Sequence, residues 1–173
     1  MTPNDDERID EASAAQWDAV EEATELLHEE RFYEALVFLR DVIKADPKNA
    51  YAFHFLGVAL FETGELEASR DAYRAALNVS PKYLGARVAL SHVLRKLGDT
   101  RESLKEGMAA LAQAPGDGDA LHAVGLTYLA RGDKLAAKKY LEAFLESGPE
   151  FEAATEVRAT LAEIAGGGVP QLD

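Results

Sequence analysis

The chain has no cysteine among its 173 residues. Disulfides, thiolate nucleophiles, cysteine-ligated zinc and lipid attachment through cysteine are all excluded by that absence. Positive charge is scarce. Lys and Arg number 18 against 31 Asp and Glu, a formal net charge of −13. Non-specific nucleic-acid binding needs a basic footprint and docking on anionic lipid needs the same sign, so neither partner is expected. No stretch approaches the roughly 18 apolar residues that cross a bilayer, so membrane insertion is not expected. The opening Met1-Thr-Pro-Asn-Asp-Asp-Glu-Arg8 is acidic without an apolar core, which does not read as a signal peptide, and a cytoplasmic location is the expectation. Catalytic motifs are missing as well. There is no P-loop, no G-x-S-x-G and no glycine-rich strand–turn–helix, and paired acids such as Glu21-Glu22 and Glu29-Glu30 fall on a predicted helix surface. The sequence predicts no enzyme, no cofactor and no metal.

Proline is sparse too, but its placement is informative. Four of the six prolines stand at 47, 81, 115 and 149, spaced by 34 residues each time. Proline ends helices because its ring clashes with the carbonyl four residues back and it has no N–H. Gly64, Gly98 and Gly132 keep the same interval, each 17 residues before one of these prolines. A period of 34, divided by Gly and ended by Pro, marks a two-helix unit stacked on copies of itself. With 47 % hydrophobic residues, dominated by Ala and Leu, the chain folds, and folds as helix.

The prolines divide the chain into units of about 16–49, 50–83, 84–117 and 118–151. In the second unit Phe53, Leu56, Gly57 and Leu60 share one face of a first helix, and Gly64 follows where a left-handed cap belongs. A second helix carries Ala68, Ala72, Tyr73, Ala76 and Leu77, then Ser80-Pro81 ends it. The fourth unit repeats the scheme with Leu121, Val124, Gly125, Tyr128, Gly132, Ala137, Leu141 and Pro149. Asp99 and Asp133 suit the N-caps of second helices. The first unit has Glu30-Arg31 where the others have Gly-acid. Residues 1–13 read as a disordered acidic arm, and 166–173 as a flexible tail. Over 150–165, Phe151, Ala154, Val157, Leu161 and Ile164 recur at helical spacing and predict a helix that seals the last unit.

At this point the chain resembles the tetratricopeptide repeat (TPR) family, whose pattern is W-x₂-L-G-x₂-Y, then A-x₃-F, then P. The fourth unit supplies Leu121-x₂-Val124-Gly125-x₂-Tyr128, Ala137-x₃-Leu141 and Pro149. The second supplies Phe53-x₂-Leu56-Gly57-x₂-Leu60, Ser69-x₃-Tyr73 and Pro81. The resemblance implies an all-α, right-handed α-solenoid of four TPR-like helix pairs plus a C-terminal capping helix, together the domain 14–165. Gly107 takes the aromatic position in the third unit and the first lacks Gly in its first helix. Those two units are expected to pack less tightly, or the first to serve as an N-terminal cap.

In the family, first helices line a concave face, and their second, fifth, ninth, twelfth and thirteenth positions point into it. Carried onto this chain, that places Trp17, Tyr51, His54, Val58, Phe61, Val88, His92, Arg95, Lys96, His122 and Leu126 in a groove, with Phe55 beside them. An apolar, aromatic-lined groove suits a helix or extended peptide with bulky anchors. The alternative for Trp17, Phe55 and Phe61 is plain packing. Arg95 and Lys96 beside His92 fit a carboxylate-bearing ligand, or else two solvated cations at a helix C-terminus.

TPR modules that hold the C-terminal carboxylates of heat-shock chaperones use Lys and Asn at the fifth and ninth positions. Here those pairs read Val20/Thr24, His54/Val58, Val88/His92 and His122/Leu126, so that ligand class is not expected. All four histidines map to the groove without metal-ligand spacing. Either they charge below neutral pH and alter the groove, or they form an amphipathic wall, which is the preferred reading.

The resulting expectation is an adaptor or scaffold that binds a protein or peptide segment. In size and charge the chain is also similar to chaperones of type III secretion translocators, although three repeats are usual there and four are read here. Self-assembly into a homo-oligomer through exposed ends is the further alternative.

Overall fold

The computed structural model of the protein describes residues 13–166. Most of the predicted arm and tail therefore lies outside the described residues. Ser13, placed in the arm by sequence, is already helical. A short helix over 13–18 is followed, among the described residues, by α1 (Glu21–His28), α2 (Phe32–Ala45), α3 (Ala50–Glu62), α4 (Leu66–Val79), α5 (Leu84–Lys96), α6 (Thr100–Gln113), α7 (Gly118–Ala130), α8 (Lys134–Glu146) and α9 (Phe151–Ile164). No strand occurs among the described residues, and no helix among them is long and apolar enough to cross a membrane. The chain divides into two compact units, Met1–Ala86 and Arg87–Asp173, the boundary falling in the first turn of α5.

The turn inside each helix pair is the same device four times over. The backbone N–H donors of Arg31, Glu65, Asp99 and Asp133 reach back to the carbonyls of Leu26, Leu60, Leu94 and Tyr128 at 2.8, 2.8, 2.9 and 3.0 Å. Such a six-residue closure satisfies carbonyls that the helix end leaves open, and it needs a left-handed residue before the donor. Gly64, Gly98 and Gly132 take φ of 83°, 83° and 80°. In the first pair Glu30 adopts φ 59°, the only positive φ among described non-glycine residues. Asp99 and Asp133 then cap the next helices, accepting from the N–H of Glu102 and Ala136 at 3.1 and 3.0 Å. Arg31, in the equivalent place, makes no cap. Its guanidinium instead bridges Glu29 and Glu34.

Closing the pair requires a small residue where the helices touch. A Cβ on Gly57 would stand 2.6 Å from Tyr73 Cε1, and one on Gly125 would stand 2.7 Å from Leu141 Cδ2. The third pair inverts this arrangement. Ser91 takes the place of Gly57 and Gly125, while Gly107 takes the place of Tyr73 and Leu141. A Cβ on Gly107 would stand 2.7 Å from Val124 Cγ2 and 3.1 Å from Ser91 Oγ. The looser packing expected of this unit is not found. Ser91, Ser103 and Thr127 are fully buried, and Ser91 and Ser103 each donate to the other's carbonyl, at 2.8 and 2.7 Å. Thr127 Oγ1 meets Ser103 Oγ at 2.8 Å.

In Met1–Ala86 the core gathers Val20, Leu36, Leu39 and Leu60. In Arg87–Asp173 one cluster joins Leu121, Leu141 and Phe144 to Val157 of α9, with Leu161 and Ile164 packed against it. Phe151 departs from the predicted face, standing 84 % exposed. It is the first residue of α9, and helical side chains lean towards the N-terminus, which carries this ring past the helix end and away from the core.

Glu30→Gly should therefore relieve a left-handed strain worth about 1 kcal/mol and raise Tm by a few degrees in thermal unfolding. An unchanged or lowered Tm would mean that Glu30 is not strained. Gly57→Leu should leave the first helix pairs unable to close, seen as lost helicity and cooperativity by circular dichroism.

Candidate functional site

Two faces carry the predicted groove residues, one in each unit. In the first, helical spacing aligns Tyr51, His54, Phe55, Val58 and Phe61 along α3, all half-buried. Trp17 joins them from the 13–18 helix, which is held in place by a polar clamp. Asn49 is fully buried, donates through Nδ2 to the Gln16 carbonyl at 2.9 Å and accepts through Oδ1 from the Ala52 N–H at 3.1 Å. Gln16 in turn donates to Asp46 Oδ2 at 2.9 Å. Ser13 Oγ and the Tyr51 hydroxyl lie 3.0 Å apart. The indole is thus fixed edge-on to Tyr51 and Phe55, with ring centroids at 5.3 and 5.9 Å, yet stays 45 % exposed.

Tyr83 extends the cluster, 5.6 Å from Tyr51 and 4.9 Å from His54. His54 also meets Phe55 at 5.2 Å and Tyr73 at 5.6 Å. A hollow of about 490 Å³ opens beside Tyr51 and Tyr83, lined in part by Ser13, Gln16, Lys48, Val79 and Lys82. Rings in edge contact with an exposed indole at their border form a rigid apolar face with hydroxyl and lysine donors beside it. Such a face can take up bulky side chains at small entropic cost.

The second face is smaller and polar. His92 of α5 and His122 of α7 stand 5.9 Å apart, and His122 lies stacked on Phe144 at 4.7 Å with 20° between the planes. Arg95 is half-buried with its Nε enclosed and unbonded, and Lys96 is exposed. Leu126 is half-buried against the Leu121–Phe144 cluster. Val88 is buried at 6 % exposure and belongs to the core instead of lining this face. It lies on the first helix of its pair, but at core depth, which helical spacing does not specify. Among the described residues no three His, Asp or Glu side chains converge as a metal site.

Two family models described as tetratricopeptide repeat match residues 20–83 and 118–157, together more than half of the chain. The chain belongs to the tetratricopeptide repeat family. No curated protein matches it by sequence. Among solved structures it is similar to PilW, a widely conserved type IV pilus biogenesis factor, at 22 % identity and a TM-score of 0.79 over 88 % of this chain and 71 % of that one. It is also similar to TTC0263, a thermophilic TPR protein of Thermus thermophilus, at 20 % identity and a TM-score of 0.73 over 86 % and 80 % of the two chains. The first TPR of Spaghetti (RPAP3), bound to the HSP90 peptide SRMEEVD, matches at 22 % identity and a TM-score of 0.60 over 67 % of this chain and 93 % of that one. At these identities the likeness is one of fold.

Pattern reasoning within the TPR frame missed four contributors. Tyr83 sits 34 residues after Asn49 and 34 before Asp117, both of which cap helices, so its register pointed to a cap and not to a ring cluster. Tyr73 and Phe144 belong to second helices and reach through to touch His54 and His122 from beneath. Asn49 gave the one legible signal, a helix-capping residue directly after Pro47-Lys48.

Burial governs the titration of the histidines. His54 and His92 are both held down to about 4, chiefly by loss of water, and in His92 further by Arg95, His122 and Lys96. His122 is lowered by burial and by Arg95, against Asp119 and Glu156, which raise it. A face that gains charge just below neutral pH is therefore not what His54 and His92 provide; they are neutral wall residues well into the acid range.

The sign for stability follows. Above about 6.5, the ordinary imidazole value, these rings are neutral in both folded and unfolded chains. Between about 6.5 and 4 the unfolded chain takes up protons that the folded chain refuses, so stability falls as the pH falls. We expect the urea midpoint to drop between pH 7 and pH 5. The drop should be smaller in His54→Phe, by about 1–2 kcal/mol at pH 5. Equal slopes in the two proteins would contradict the burial of His54.

Proposed function

We propose that this TPR protein is a non-catalytic adaptor that binds a peptide or helical segment of another protein on the ring-lined face of its first unit. The observation that carries this reading is Trp17. It is the only tryptophan in the chain, half of it faces solvent, and a buried hydrogen-bond clamp holds it against Tyr51 and Phe55. An exposed large apolar side chain normally escapes water by moving or packing, whereas this one is fixed in the open beside two more rings. Aromatic anchors in such settings supply most of the binding energy at protein interfaces.

The TPR fold is a protein-interaction scaffold, which agrees with this reading, as does the peptide held by the Spaghetti (RPAP3) repeat. Gly57 and Tyr73 beneath the face keep α3 and α4 in close contact, so the face is preorganised and little ordering is needed on binding.

Selection of ligands from a random peptide display library tests the proposal. Enriched sequences should contain bulky apolar residues, and their binding should quench or shift the fluorescence of Trp17. Trp17→Ala should weaken them about tenfold or more with Tm shifted by no more than a few degrees. Ligands that bind Trp17→Ala as tightly as wild type would place recognition elsewhere on the protein.

A further inference from the structure

Away from the Trp17 face, large apolar side chains stand more than half exposed at three places among the described residues. Tyr33 and Val37 of α2 are 73 % and 61 % exposed, Leu135 of α8 is 83 % exposed, and Phe151 opens α9. The charges around these places differ in sign, and two of them match.

Tyr33 and Val37 border a hollow of about 880 Å³, with Leu26 and Phe38 as its more buried lining. Among the described residues only α1, α2 and the turn between them line it, and nothing from α3 onward reaches it. The first pair of a stacked array keeps a face that no earlier pair covers, and the hollow lies within the first pair. Its rim is acidic, formed by Glu21, Glu22, Glu25, Glu29, Glu34 and Asp41. Arg31 bridges Glu29 and Glu34, and Lys44 stands 3.3 Å from Asp41. Glu21, Glu22 and Glu25 therefore set the sign.

An apolar hollow with a negative rim fits an apolar side chain set among cations, and Leu135 is one. Arg131 and Lys134 precede it, and Lys138 and Lys139 follow one turn later on the same face of α8, all exposed. Of the nearest acids, Asp133 is engaged in capping α8, and Glu142 lies 3.7 Å from Lys138. Phe151 has the wrong neighbours, Glu150 and Glu152. Residues 1–12 also have the wrong sign, with five acids against Arg8, so the chain's own leading segment is a poor match for this rim.

We propose that α8 of a second copy of this chain docks by Leu135 into the hollow between α1 and α2, its basic residues meeting the acidic rim. A helix laid in an apolar groove is anchored by its bulky side chain and oriented by the charges beside it. Two different surfaces are joined, so every copy keeps one of each free and association runs head to tail. The net charge of −13 repels copies at a distance, which makes the contact a weak and reversible one. Peptide binding beside Trp17 is no part of this argument.

Sedimentation velocity of the full wild-type chain, from about 1 µM to about 1 mM, should show a mass that rises with concentration past the dimer. Val37→Lys spoils only the hollow and Leu135→Gln only the basic patch, and each should weaken association about tenfold or more. Mixed in equal amounts, the two variants should pair at wild-type strength and stop at dimers, because one supplies an intact patch and the other an intact hollow. A mixture no more associated than its components overturns the proposal. So does a wild-type chain that stays monomeric throughout, or a folded variant that associates undiminished.

Should either variant fail to fold, carbodiimide coupling of isotope-labelled to unlabelled wild type decides the matter. Links from Lys138 or Lys139 of one copy to Glu22 or Glu25 of the other support the contact. Links confined to single copies, or joining other surfaces, overturn it.

Discussion

Two helices joined by a short turn must touch near the middle of their length, and what stands there decides whether the pair exists. In the second and fourth pairs one partner is Gly and the other a large ring or branched chain, with no room for a single added carbon. This contact fixes how closely α3 lies on α4 and α7 on α8. It thereby sets which face of each of these first helices is left to carry Tyr51 and His54, or His122. The caps, the core and the exposed faces are consequences of that approach, because a pair held a carbon's width further apart would bury different side chains.

The periodic features were readable in the sequence because each has a single chemical solution. A φ near 80° leaves little choice beyond glycine, so Gly64, Gly98 and Gly132 announced their turns. Glu30 shows the limit of that logic: its register marked the turn while its chemistry did not, and the backbone imposed the conformation regardless. Depth was harder to read than direction. Val88 shares a helical position with His54 and His122 yet lies in the core, since the period specifies an angle around the helix and not what packs above it. Tyr83 and Phe144 lay beyond reach for a related reason, as contacts between a loop or second helix and the face of a first helix depend on side-chain length and tilt.

The two faces differ in how they treat water. Around Trp17 and Tyr51 the rings satisfy one another by edge contacts, and polar groups are gathered behind them in the Asn49–Gln16 clamp, leaving an apolar surface whose contact with water is unfavourable. Around Arg95 the polar element is a half-buried guanidinium whose Nε is enclosed and unbonded, beside neutral imidazoles.

The hydroxyl trio of Ser91, Ser103 and Thr127 joins α5, α6 and α7 by hydrogen bonds in an otherwise apolar interior. Apolar side chains tolerate a helix sliding by one turn, because one methyl group replaces another. Hydroxyls do not, because a slip would leave the buried donors of Ser91 and Ser103 unmatched. The third pair therefore works as a key that only one alignment of its neighbours will accept. A repeat array assembled from interchangeable parts gains by this an address, a point along the chain at which the order of the units can be read from the inside.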